Sequence, residues 1–236
     1  MTMGTSQSYR IKSTPNWAKT KRAMTHLAVP GNMNAANAGK FLGNFSRAVS
    51  ESQTFGGAGK STVDNFLQFI TNVRNLGWEQ AIHQIDADVD VVQLTAEEFL
   101  ELLLKLCCDN DSNFDDQAAN IAFEKLEGEI QTDLNTAEEL GELIANASEE
   151  QILEWVGAFY VNYIMEIFSE LYYTHLEEKG VIPENVIDGL REYVVASVNE
   201  LLLNRPDDLN IFSEEGRNFV KGILDELNEQ WEQSLE

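Results

Sequence analysis

From residue 35 onward the apolar positions recur at helical spacing. Phe41, Leu42, Phe45 and Val49 fall near one face of a helix that starts at about Ala35. Gly56-Gly57 interrupts it, and a second helix is expected from Ser61 or Thr62, with Phe66, Phe69, Ile70, Val73 and Leu76 as its stripe and Gly77 as its stop. A shorter helix is expected after Trp78. Thr95 with Glu98, Thr136 with Glu139 and Ser148 with Gln151 each set a hydroxyl three residues ahead of a Glu or Gln, the pattern of a reciprocal N-terminal cap. The broadest apolar face, from Ile152 and Trp155 through Phe159, Tyr163 and Phe168 to Leu171, predicts a central buried helix over Glu149 to Lys179, ended by Lys179-Gly180. Pro183 suits the first turn of a helix reaching Leu201, and a last helix is expected from about Ser213 to Trp231. Asp88 to Gln93 reads as a short extended piece. The expected fold is all-α, a multi-helix globular bundle.

Residues 1–34 show no sustained period and contain Ser, Thr, Asn, Gly and Lys. They predict an extended N-terminal arm attached to a helical domain of residues 35–236. Tyr9 and Trp17 are large aromatics on this polar stretch. Such side chains serve as anchors in a partner; for Trp17 the alternative is that it folds back onto the chain's own core.

Charge separates the same two parts. Residues 1–60 hold eight Lys and Arg against one acid, residues 61–236 hold eight against 39, and the whole chain of 236 residues carries −24. With 43% hydrophobic residues the body has enough apolar material for a core. Its negative field repels nucleic-acid phosphates and anionic membranes, so a basic partner surface suits it better, and direct nucleic-acid contact is not expected of it. No run of eighteen apolar residues and no signal-peptide pattern occurs, which gives a cytoplasmic expectation. The adjacent Cys107 and Cys108 suit neither an ordinary disulfide nor a zinc knuckle and are expected at a buried helix end.

Several segments resemble chemical motifs without completing them. Gly56-Gly-Ala-Gly-Lys60-Ser61-Thr62 is close to a phosphate-binding loop, but Thr54 stands at the first required glycine and a polar helix precedes it instead of a buried strand. A glycine-rich turn between helices is the expected role. His26, His83 and His175 stand singly, and Asp109 to Asn113 lacks the glycine and glutamate of a calcium loop, so Asn113 or Ser112 is expected to cap the next helix. The paired acids Glu97-Glu98, Asp115-Asp116, Glu138-Glu139 and Glu149-Glu150 sit at helix starts, where the helix dipole favours them. No catalytic grouping, metal or cofactor is expected. Met3-Gly4 stands apart: removal of residues through Met3 leaves an unhindered glycine amine, whose reference pKa of about 8 keeps a nucleophilic fraction near neutral pH.

The opening Met3-Gly-Thr-Ser-Gln-Ser-Tyr9, the following Thr14-Pro-Asn-Trp17 and the acidic helical body together resemble the QatB proteins of bacterial Qat antiphage systems. The likeness extends to the Gly56-Gly57 turn into Asn65-Phe-Leu-Gln-Phe69, to Leu94-Thr-Ala-Glu-Glu-Phe99, and through Cys108-Asp109 to Phe114-Asp-Asp116 and Ala118 to Phe123. The resemblance implies a non-enzymatic component of a system that also has an ATPase, a QueC-like enzyme (QatC) and a TatD-like nuclease. QueC-type enzymes activate a deazaguanine carboxylate for displacement by an amine. The resemblance therefore implies that the arm enters the QueC-like partner and that Gly4, exposed by processing, is the site of deazaguanine conjugation. Thr5, Ser6, Ser8, Tyr9, Arg10 and Trp17 are the expected partner-binding residues. The alternative is a scaffold that links the defence enzymes without being modified.

Overall fold

Thr14-Pro15-Asn16-Trp17 begins a helix. In the computed structural model, which describes residues 14–52, 55–108, 113–131 and 134–235, Thr14 caps α1 (Pro15–Leu27) by accepting the Trp17 N–H at 3.4 Å. Pro15 occupies the first turn, where a missing N–H is tolerated. Trp17, Thr20, Met24 and Leu27 form the buried stripe, spaced by three, four and three. The arm expected over residues 1–34 is corrected accordingly: the stretch from 14 to 34 belongs to the helical body. Burying one indole contributes on the order of 5 kcal/mol before ordering costs, enough to hold a helix whose remaining residues are polar. Residues 1–13 lie outside the described residues.

Gly31, at φ +84°, turns the chain after α1. Asn32 donates to the His26 carbonyl at 3.1 Å, and Asn34 accepts the Asn37 N–H at 3.1 Å to start α2 (Ala35–Ser52). Helix α2 packs on α1 and on α10 (Glu214–Gln233), with Gly43 against the Trp231 carbonyl.

Helix α3 (Gly57–Leu76) starts earlier than Ser61 or Thr62, at Gly57, because Gly56 adopts φ +105° and makes the turn itself. Gly77 (φ +89°) ends it and opens α4 (Trp78–Ile85). Residues 88–93 form turns instead of the expected extended piece: Asp86 and Asp90 carboxylates accept the N–H groups of Asp88 and Val92, two residues on. Helices α5 (Ala96–Cys107) and α7 (Ala137–Asn146) both start in complete capping boxes, at Thr95 and Thr136. The two capping threonines also pair with each other through the backbone. Asn113 caps α6 (Phe114–Ile130) by accepting the Asp116 N–H at 3.0 Å.

The central helix is α8 (Glu149–Glu178), followed by α9 (Pro183–Leu203) with its proline in the first turn. Ser148 caps α8, but Gln151 turns to Glu154 at 3.1 Å, so only half of the expected reciprocal cap forms. Helix α8 packs against α6 and α9 and meets α1 and α3, while α3 also gathers α4, α5 and α7. Phe41 and Phe45 of α2 pack on Phe168 and Tyr172 of α8, and Phe66, Phe123 and Phe159 link α3, α6 and α8. The result is an all-α bundle of ten helices among the described residues.

Candidate functional site

The residues expected to bind a partner or be modified lie on the N-terminal segment, which the structure describes from Thr14 onward. Trp17 lies in the core, 3% exposed, with ring centroids 6.2 Å from Phe45 and 6.3 Å from Phe55, both edge-on. Its carbonyl accepts the Thr20 hydroxyl at 2.8 Å, and Asn16 donates to Glu51 of α2. Trp17 is therefore corrected from a partner-binding residue to a core residue: its apolar area is already spent inside the chain. Gly4, Thr5, Ser6, Ser8, Tyr9 and Arg10 lie outside the described residues.

The glycine-rich segment is occupied by the protein's own anion. Asp115, at the start of α6, accepts the Gly56 N–H at 3.2 Å and the Ala58 N–H at 2.8 Å, so a carboxylate sits where a phosphate-binding loop would hold phosphate. The Tyr163 hydroxyl donates to the same carboxylate and accepts from Gly56 N–H at 2.9 Å. Burial, then the Asp115 charge, pushes the Tyr163 phenol far above its ordinary pKa, so it serves as a donor. Lys60 points to Asp225 at 2.6 Å. This is a helix cap supplied across the fold, and it replaces the Ser61 or Thr62 cap expected from sequence.

Cys107 and Cys108 are both buried at the end of α5, where the Thr62 hydroxyl donates to Cys108 Sγ at 3.7 Å. Burial pushes the Cys107 thiol well above its usual range, which leaves it a poor nucleophile. Beside it in α6, Glu127 is buried, its Oε1 has no hydrogen-bond partner among the described residues, and its pKa is raised to about 8, first by burial and then by Glu124.

The first fifty residues contain no Asp or Glu. Lys19, Lys21, Arg22 and Lys40 take part in no ion pair among the described residues, nor do Arg74, Lys179 and Arg191 of the acidic body, whereas Arg47, Lys60, Lys105, Lys125, Arg205, Arg217 and Lys221 do. Sequence reasoning assigned Lys19, Lys21 and Arg22 to an arm and missed that α1 presents Lys19 and Arg22 beside Lys40 of α2 as a folded surface. The available signal was Lys19, Arg22 and His26 at helical spacing opposite the buried stripe.

No group of three or more His, Cys, Asp or Glu among the described residues is arranged to hold a metal ion, and none of their helices is long and apolar enough to cross a membrane. Comparison with protein-family models, with curated proteins and with solved structures gives no match.

Proposed function

We propose that this chain is a non-enzymatic subunit of a bacterial antiphage defence system, and the protein substrate of a QueC-like (QatC) partner that conjugates a deazaguanine base to Gly4. The observation that carries the reading is the N-terminal Met3-Gly-Thr-Ser-Gln-Ser-Tyr9 followed by Thr14-Pro-Asn-Trp17. The second of these motifs supports it physically. With Thr14 capping α1 and Trp17 in the core, the point at which residues 1–13 join the body is fixed. Ten residue steps separate Gly4 from Thr14. Covalent geometry therefore limits the Gly4 amine to within about 35 Å of that root, a span suited to entering a docked enzyme.

In this reading residues 1–3 are removed, and the Gly4 amine attacks an adenylated deazaguanine carboxylate. An amide bond forms, AMP leaves with the bonding electron pair, and the amine proton passes to solvent or to a base of the partner. Thr5, Ser6, Ser8, Tyr9 and Arg10 hold the segment in the partner, and the acidic body faces that partner's basic outer surface. The ATPase and TatD-like nuclease are further partners of the same assembly.

Gly4→Pro tests the reading against a scaffold role, because proline replaces the primary amine with a hindered secondary one. Loss of conjugation and of phage protection, with the complex still co-purifying, is the expected outcome. Undiminished protection by the variant would favour the scaffold.

A further inference from the structure

Helices α1 and α2 enclose a cleft of about 300 Å³ lined by Lys19, Arg22 and His26 on one side and by Asn37, Lys40 and Asn44 on the other. Both sets follow helical spacing, three and four residues apart on α1 and three and four on α2, so each set forms one continuous stripe. The four charged or ring-bearing side chains are exposed and the two asparagines half-buried. The opposite face of α1, with Trp17, Met24 and Leu27, is fixed in the core, which holds this face in place.

From the convergence of Lys19, Arg22 and Lys40 in this cleft, we propose that it binds a small polyphosphate anion of the size of inorganic triphosphate or a nucleoside triphosphate. Three observations carry the assignment. On a chain of net charge −24, three cations converge in a cleft whose lining, among the described residues, holds no carboxylate, and none of the three takes part in an ion pair with a described residue. Like charges held together this way are self-repelling, and a multiply charged anion relieves that repulsion. Arginine offers a planar fork to phosphate oxygens, and lysine a mobile point charge, so the set suits phosphate in particular.

The second observation is size: the cleft lies at the lower end of small-ligand sites. The third is the surroundings. Residues 61–236 carry 39 acids against eight bases, so a long nucleic-acid strand extending beyond the cleft would run onto a repelling surface, while a short polyphosphate would not. Asn37 and Asn44 donate to the carbonyls of Asn32 and Lys40 at 2.9 and 2.7 Å, which fixes them as a polar wall. The site is independent of Gly4 and of the proposed conjugation.

Calorimetric titration of the full chain with inorganic triphosphate, and separately with ATP, tests the proposal. Saturable one-to-one binding is expected. It should weaken by at least about tenfold in K19Q/K40Q and in R22Q, and stay unchanged in K105Q/K125Q, whose lysines lie elsewhere. Circular dichroism identifies variants that keep the fold, and the two cleft variants give independent readings. Equal affinity for triphosphate and ATP would assign recognition to the phosphates alone, whereas tighter ATP binding would add the nucleoside. Absence of saturable binding, or binding insensitive to both cleft variants, would overturn the proposal. So would affinity for single-stranded oligonucleotides that exceeds that for triphosphate and grows with length.

Discussion

Gly59 and Tyr163 pack so closely that a Cβ at position 59 would lie 2.8 Å from Tyr163 Cε1 and 3.0 Å from its Cζ. Helix α3 therefore rests its first turn directly on the ring, and the ring hydroxyl reaches past it to Asp115 and the Gly56 N–H. Gly59→Ala would force the Tyr163 ring, 1% exposed, into a full core. The expected cost is about 1–3 kcal/mol in denaturant unfolding, despite alanine's better helix propensity.

Asp115 satisfies the α3 N-terminus from across the fold. Asp115→Ala leaves the Ala58 amide without its acceptor, leaves the Gly56 amide with the Tyr163 hydroxyl alone, and removes the acceptor of that hydroxyl's proton. Destabilisation of about 2–3 kcal/mol is expected, with hydrogen exchange accelerated first at the start of α3. Asp115→Asn keeps one acceptor and should cost less.

These contacts mark the boundary of what the chain discloses locally. Thr95 with Glu98, Thr136 with Glu139, Gly77, Gly180 and Pro183 act within a turn of themselves, and each lies where its chemistry predicts. The cap on α3 comes from a residue 57 to 59 positions away, so no local pattern shows it. Helix α1 was obscured for a different reason. Its stripe is one residue wide and includes Thr20, while Lys19, Lys21, Arg22, Thr25 and His26 between make the segment look like a polar arm. The basic cleft became visible only once α1 was known to be a helix lying on α2. Of the candidate site, the motif around Gly4 is readable in the sequence alone, and Trp17 changed role because burial, not residue type, decides what an aromatic does.

Trp17 gives a separation between body and arm. Trp17→Ala empties an indole-sized space between Phe45 and Phe55 and should cost about 3–5 kcal/mol. Substitutions at Gly4 should leave the melting temperature unchanged. A W17A chain that retains wild-type stability in thermal melts would contradict the core placement.

Glu127 makes stability fall with rising pH. Burial, then the Glu124 charge, pushes its folded pKa up to about 8 from the ordinary glutamate value of 4.5. Below about 4.5 it is protonated in both states; as pH rises from 4.5 to 8 the unfolded chain releases the proton while the folded chain keeps it. The stability associated with its protonated form is present at low pH and lost across that window. Glu127→Gln removes the titration, so its stability relative to wild type should grow from pH 4.5 to pH 8, by at most about 5 kcal/mol. Parallel pH profiles from urea unfolding of the two proteins would contradict this.

The most direct test of the proposed function is the mass of the N-terminal peptide after expression with and without an active QueC-like partner. The account predicts a chain that begins at Gly4 and carries the added mass of a deazaguanine acyl group only when the active partner is present. An unmodified N-terminus in a stable, phage-protective complex would contradict conjugation and leave the chain as a scaffold.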